Sequence, residues 1–200
     1  MRRLGYALAA AGLAVGAYVG IVLWRGDPVT GVYAGIQQRH LRRELAADAP
    51  SRRSRPIAEG RAFALIRIPR LGLDAVVVQG TSTADLRKGP GHYRITGVPG
   101  AGRVVAIAGH RTTYGAWFRH IDELRKRDRI ELDFQGFTYV YRVTGHRVVA
   151  ANDWRIIRYR GYEKLVLSAC HPVYSASHRW VVFARLAGVR TQRVSEKAPT

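Results

Sequence analysis

The run Leu165-Val166-Leu167-Ser168-Ala169-Cys170 is apolar and β-branched up to a cysteine, and His171-Pro172 follows it directly. A short apolar run that ends at turn-forming residues predicts a buried β-strand. Proline cannot donate a hydrogen bond to the ladder of a central strand, so this strand is expected to end near Cys170. The chain's single cysteine is therefore predicted to lie at the mouth of a loop.

Other apolar and β-branched runs predict further strands. They cover residues 62–68, 74–78, 104–108, 130–134, 137–150 and 180–186. Glycine-rich turns separate the runs, and Gln135-Gly136 predicts a hairpin between two of them. Helical patterns are short, at residues 83–87 and 116–124. Seven or eight strands without regular βα alternation predict a mostly antiparallel β-barrel or sandwich.

The N-terminus carries an uncharged apolar run, residues 4–24, which would span about 30 Å as a helix, the thickness of a bilayer core. Arg2 and Arg3 precede it and favour a cytoplasmic N-terminus. A cleaved signal peptide is the alternative, but such peptides have a shorter apolar stretch that ends in small residues. We expect an uncleaved transmembrane anchor over residues 1–25, in a single-pass protein of the plasma membrane. Glycines recur at every fourth position of this run, at Gly12, Gly16 and Gly20. Such small residues allow two membrane helices to pack closely, so a homodimer formed through the anchor stays an open alternative.

Three segments are predicted beyond the anchor. Residues 26–58 form an extracytoplasmic linker, with an amphipathic helix at 32–47 that serves as a spacer or lies on the membrane. A globular domain covers residues 59–190, and residues 191–200 form a flexible tail. The segment Pro50-Ser51-Arg52-Arg53-Ser54-Arg55-Pro56 is polar, basic and rich in proline, as linkers are.

Basic residues outnumber acidic ones by 33 to 14, which gives a formal net charge of +19. This charge predicts attraction to polyanions and leaves open a non-enzymatic module that binds acidic wall polymers. Nucleic acid is not expected as a partner, because the anchor would place the domain on the other side of the membrane. One cysteine excludes an intramolecular disulfide and multi-cysteine metal sites. Glu131 and Asp133 are too few carboxylates for a calcium site, so neither a metal nor a cofactor is expected.

Three residues are candidates for chemistry at strand ends. The run 104–108 leads into Gly109-His110, and the last predicted strand begins near Arg179. If the last two strands are antiparallel neighbours, Cys170 faces Arg179, whereas Arg185 lies about 20 Å away. A thiolate can act as nucleophile, an imidazole can move protons, and a guanidinium can stabilise an oxyanion.

A structural interpretation of the same residues also exists. A lone cysteine is often a small buried hydrophobe, and a histidine after glycine is often a turn residue. His92 follows a tight turn and is interpreted as shaping the wall of the cleft.

Several ordered motifs across residues 62–187 resemble the sortase family. They are Gly109-His110-Arg111, Leu167-Ser168-Ala169-Cys170-His171-Pro172 and Arg179 before Val181-Val182-Phe183-Ala184. The stretch Gly89-Pro90-Gly91-His92-Tyr93 and the later run of residues 106–113 are most similar to class E sortases of actinobacteria, which are high-GC Gram-positive bacteria. The resemblance implies a closed eight-stranded β-barrel and a cysteine transpeptidase. It also implies that His110, Cys170 and Arg179 are the catalytic residues.

The resemblance implies a reaction and its partners. A sorting motif of the LPXTG or LAXTG type in a secreted protein would be cleaved between Thr and Gly through a thioester. The acyl group would then pass to an amine of a peptidoglycan precursor or, as a lesser alternative, to a pilin lysine. A membrane-anchored cysteine peptidase that uses water remains an alternative. Sortases usually carry Thr before the cysteine, so Ala169 leaves the peptide specificity open.

Overall fold

Strands of the computed structural model, which describes residues 2–25, 27–47 and 56–192, close into an eight-stranded barrel. The strands are β1 Ala62–Ile68, β2 Leu73–Gln79, β3 Gly91–His92, β4 Val104–Gly109, β5 Arg129–Phe134, β6 Phe137–Ala150, β7 Lys164–His171 and β8 His178–Thr191. Their order around the barrel is β1-β2-β3-β4-β7-β8-β6-β5. The pairs β2–β3 and β4–β7 are parallel, and the other pairs are antiparallel. The predicted fold class is confirmed, as a barrel and not a sandwich.

The strand predictions from periodicity agree with the structure to within two residues, except at β3 and at β8, which continues five residues beyond the predicted end at residue 186. Strand β3 has only two residues, Gly91 and His92, which is too short for a period-2 pattern to show. The predicted hairpin joins β5 to β6, where Gln135 and Gly136 have φ of +48° and +83°. Both central residues of a type I′ turn need such positive φ values.

The helix predicted at 116–124 is wrong. Ala116 has a φ of +44°, which a right-handed helix does not allow, and a 3₁₀ turn forms only at Ile121–Glu123. Phe118, Ile121 and Leu124 have helix-like spacing because successive turns each place one of these side chains in the core, where all three are buried.

Two long helices precede the barrel, α1 over Arg2–Arg25 and α2 over Pro28–Ala47, and a short helix α3 covers Thr83–Leu86. The stretch Arg3–Val22 of α1 is long and apolar enough to cross a membrane, with a mean hydropathy of 1.7. α2 begins four residues before the predicted helix. Asp27 explains this start, because its carboxylate accepts a hydrogen bond from the Val29 N–H at 3.0 Å.

α2 packs against the barrel and is not a free spacer. Leu41 is buried against the outer side of β2, and Gln38 is only 4% exposed. The Gln38 side chain donates to the Val76 carbonyl at 2.9 Å and accepts from the Val76 N–H at 2.7 Å. Residues 50–55 of the basic linker predicted at 50–56, and residues 193–200 of the tail predicted at 191–200, lie outside the described residues.

Apolar residues fill both faces of the sheet around β4, β7 and β8. The barrel interior holds large side chains such as Phe118, Tyr141 and Leu167. A second apolar cluster lies on the outer face of these three strands: Val104, Ala106, Val149, Val166 and Val181. The connection between β6 and β7 covers it with Ile156 and Ile157, so this outer face is sheltered.

Candidate active site

The strand register brings the three candidate residues into one row. In the parallel pair β4–β7, Ala108 and Gly109 lie opposite Ser168 and Ala169. His110 directly follows the end of β4, and Cys170 is the next residue of β7. In the antiparallel pair β7–β8, Cys170 lies opposite Arg179. Neighbouring strands are about 4.8 Å apart. Cys170 therefore stands between a histidine on one side and an arginine on the other.

The register also separates the two arginines of β8. The predicted pairing of Cys170 with Arg179 is confirmed, and Arg185 lies opposite Lys164 toward the other end of β7. At about 3.3 Å per residue this is roughly 20 Å from the thiol. The Arg185 guanidinium lies over the Tyr162 ring, 4.7 Å from its centroid. Arg185 is thus remote from the row.

Alternation along β7 directs the thiol to the sheltered outer face. Ala169 is 2% exposed and belongs to the interior core, so Ser168 and Cys170 point the other way. Cys170 is half-buried. The Ser168 hydroxyl lies 3.3 Å from the Tyr93 hydroxyl on that same face. The methyl group of Ala169 therefore faces the core, on the side of the strand opposite to the thiol.

Gly109 is required beside His110 by close packing. A Cβ atom at Gly109 would lie 2.6 Å from the Phe118 ring, so only glycine lets that ring pack there. The Phe118 N–H in turn donates to the His110 carbonyl at 2.9 Å. These two contacts hold the backbone of His110 at the end of β4.

The imidazole of His110 is half-buried, and its Nε2 atom is buried without a hydrogen-bond partner among the described residues. Burial lowers the pKa of His110, and the positive charge of Arg87 lowers it further. Both effects favour the neutral imidazole near neutral pH.

Arg179 is the second residue of β8 and lines a narrow cleft with Tyr93, Trp154 and Ser168. Its Nη1 atom donates to the carbonyls of Ala176 and His178 at 2.9 and 3.0 Å. These bonds keep the guanidinium at the connection between β7 and β8, and the backbone of Arg179 lies opposite Cys170. A fixed cation and fork of N–H donors at this place could stabilise an oxyanion.

Arg111 follows His110 but belongs to the structural framework. Its side chain is 3% exposed, donates to the Arg119 carbonyl at 3.1 Å and pairs with Asp122 at 2.8 Å. Its Nη1 atom is 3.5 Å from Nδ1 of His171. Sequence reasoning gave this arginine no role, since nothing in the local pattern distinguishes a buried arginine from an exposed one.

His92 lies in the barrel interior and not in the cleft wall, where the sequence analysis placed it. It is 1% exposed, and its ring stacks on Phe63 with centroids 4.0 Å apart. Its Nδ1 is 2.8 Å from Oε1 of Gln79, and its Nε2 is 2.9 Å from the Gly97 carbonyl oxygen. Burial lowers the pKa of His92 to about 4, so the ring is neutral and structural.

The two acidic residues of β5 are bound by arginines. Glu131 contacts Arg67, Arg129 and Arg190, and Asp133 pairs with Arg67 at 2.7 Å. Burial raises the pKa of Glu131, but hydrogen bonds and charge from Arg129 and Arg67 outweigh it, and the pKa is lowered. Among residues 2–25, 27–47 and 56–192, no three His, Cys, Asp or Glu side chains form a group that could hold a metal ion.

Comparison with known proteins gives a consistent family. The model of the Sortase domain matches residues 66–187. Sortase D of Bacillus subtilis is 30% identical over 130 residues, which cover 63% of this chain and 64% of that protein. The chain thus matches less than two thirds of the length of that relative.

Solved structures show the same barrel. Sortase E from Streptomyces avermitilis is 33% identical, with a TM-score of 0.63 over 72% of this chain and 97% of that one. Sortase E1 from Streptomyces coelicolor, solved with a tripeptide in its active site, is 26% identical. Its TM-score is 0.64 over 70% of this chain and 95% of that one. The family model covers more than half of the chain, including the row of His110, Cys170 and Arg179, and the chain therefore belongs to the sortase family.

Proposed function

We propose that this chain is a cysteine transpeptidase that cleaves a sorting motif and transfers the acyl group to an amine. The observation that supports this most directly is the row formed by Cys170 and Arg179 on adjacent strands and His110 directly after the end of β4. The Cys170 thiolate attacks the Thr carbonyl carbon of the motif, and Arg179 stabilises the negative oxygen that forms. His110 then protonates the departing Gly amine, which leaves a thioester on Cys170.

The electrostatics of His110 bear on the active protonation state. The reaction needs a thiolate as nucleophile and an imidazolium as acid. Burial and Arg87 lower the pKa of His110 and favour the neutral imidazole. The lowered pKa of His110 therefore disfavours the imidazolium that the acid step needs.

The donor substrate is a secreted protein whose sorting motif is of the LPXTG or LAXTG type. The class E motifs at residues 89–93 and 106–113, and the likeness to Streptomyces sortase E, support this class. The structure of Streptomyces coelicolor sortase E1 was solved with a tripeptide in its active site. A peptide in the cleft lined by Arg179 is consistent with that structure. The acceptor is an amine of a peptidoglycan precursor, and a pilin lysine is the lesser alternative.

The barrel is proposed to lie outside the plasma membrane, held by α1 as a single span. Arg2 and Arg3 at the N-terminal end of α1 support this orientation. Protease added to intact protoplasts is expected to remove the chain beyond about residue 30, because that part would be exposed. Protection of the barrel under these conditions would refute the orientation.

Trapping the thioester tests the reaction. The full chain is incubated with LPXTG and LAXTG peptides, and its intact mass is measured with and without diaminopimelate or oligoglycine. We expect an adduct on Cys170 of the peptide up to Thr, less one water, and its transfer to the added amine. Cys170→Ala and a peptide with a scrambled motif are the controls. Release to water alone would favour the peptidase, and no adduct with any peptide would favour the binding module.

A further inference from the structure

Helix α2 begins directly against the loop that follows His110. The Asp27 N–H donates to the Thr112 carbonyl at 3.0 Å, and the Tyr114 N–H donates to Oγ1 of Thr30 at 2.9 Å. The Tyr33 ring meets the Tyr114 ring edge-on, with centroids 6.3 Å apart. We call Asp27, Thr30 and Tyr33 the α2 clamp. It joins the segment after the membrane anchor to the catalytic loop.

This loop has a backbone that needs outside support. Tyr114, Gly115 and Ala116 have φ of +50°, +82° and +44°. Left-handed backbone is unfavourable for residues with a Cβ atom and persists where surrounding contacts hold it. The hydrogen bond from Tyr114 to Thr30 is such a contact, and it comes from α2 and not from the barrel.

The Tyr114 ring, which contacts Tyr33 of α2, also packs against the imidazole of His110. Its centroid lies 5.5 Å from that of the His110 imidazole, at an interplanar angle of 39°. The Arg87 guanidinium carbon lies 5.6 Å from the same Tyr114 centroid, as in a cation–π contact. Nε2 of His110 has no hydrogen-bond partner among the described residues, so no hydrogen bond at that atom fixes the ring, and the Tyr114 ring packs beside it.

The second loop beside the thiol also meets the anchor. Tyr174 lies in the connection between β7 and β8, and its hydroxyl donates to the Val22 carbonyl near the end of α1 at 3.1 Å. Both loops that flank Cys170 therefore contact the segment where the anchor ends and α2 begins. The Tyr174 contact involves none of the atoms of the Tyr114 contacts, and it too joins a loop beside Cys170 to the N-terminal helices.

We propose that Tyr114 is a positioning residue for His110 and that the α2 clamp holds Tyr114 in place. The helix that follows the membrane anchor is then part of the active site, and not only a tether. The proposal rests on the proposed function, because it needs His110 to act as the proton donor. A change in the α2 clamp would move the imidazole with no change in Cys170 or Arg179.

The test uses the full chain in detergent, with Tyr114→Leu, Tyr114→Phe, Thr30→Val and Tyr33→Leu. Tyr114→Leu is expected to lower kcat by about ten- to a hundredfold with little change in KM, because a misplaced catalytic group loses rate more than binding. Tyr114→Phe keeps the ring and should retain near-normal kcat. Thr30→Val and Tyr33→Leu should lower kcat in the same direction by smaller factors. Val32→Ala, an exposed change in the same helix, is the matched control and should leave kcat unchanged.

The pH profile separates positioning from general stability. Loss of the Tyr114 ring exposes His110 to water, which removes part of the effect that lowers its pKa. The limb of the kcat profile that reports His110 is therefore expected to move to higher pH in Tyr114→Leu and to stay in place in Tyr114→Phe. The melting temperature is measured alongside. If Tyr114→Leu fails to fold, Thr30→Val carries the same test.

Two outcomes would overturn the proposal. One is normal kcat and an unmoved pH profile in folded Tyr114→Leu and Thr30→Val, although the unchanged chain forms the Cys170 adduct. The other is a loss of activity that only follows the loss of folded protein in both variants. If the unchanged chain forms no adduct with any peptide, the proposed function itself fails, and this is visible before any variant is compared.

Discussion

Replacing His110 with alanine is expected to abolish amine-dependent transfer while the barrel stays folded. Loss of a general acid costs about 10²–10⁴ in rate. The His110 imidazole is half-buried beyond the end of β4 and is not a member of the barrel's core cluster, so little packing is lost with it. Transfer is measured by the mass of the amine product, and folding by circular dichroism and thermal melting.

The controls for this variant separate catalysis from packing. Cys170 stays half-buried at its loop, so iodoacetamide should still alkylate it in His110→Ala. His120→Ala removes an imidazole whose side chain is 58% exposed and should transfer normally. If His110→Ala instead unfolds, and transfer falls only in proportion to the folded fraction, His110 is a structural turn residue and the proposed mechanism loses its proton donor.

Arg179→Ala is expected to lower kcat by about 10²–10³, the cost of removing one oxyanion donor. Arg179→Lys should restore only part of the rate, since an ammonium cannot reproduce the planar fork of a guanidinium. The rate constant for formation of the Cys170 thioester is the quantity to measure, because the oxyanion forms in that step.

Arg185→Ala is the matched control on the same strand. Arg185 lies opposite Lys164, about 20 Å from the thiol, and should leave thioester formation nearly unchanged. The Arg179 guanidinium also bonds the carbonyls of Ala176 and His178, so the alkylation rate of Cys170 is compared to detect a displaced loop. Equal losses in Arg179→Ala and Arg185→Ala would contradict a role for Arg179 at the oxyanion.

Some contacts at the site were predictable from sequence and others were not. The strand end at Cys170 follows from Pro172, and the pairing with Arg179 follows from a short connection between antiparallel strands. The approach of His110 to Cys170 needs the parallel pairing of β4 with β7, which local periodicity does not specify. The sequence singled out His110 as a histidine at the end of a predicted strand, and the register shows that this strand end lies beside Cys170.

The sequence by itself determined the local elements and the chemistry available at their ends. Period-2 patterns, the Gln135-Gly136 turn and the apolar N-terminal run act over a few residues, so their energetic preferences can be read directly from the chain. Only the tertiary structure decided that His92 and Arg111 are buried and that α2 packs on β2. It also decided that Tyr114 touches His110. Such contacts join residues brought together by barrel closure, and their free energy depends on burial and neighbours, which no local pattern encodes.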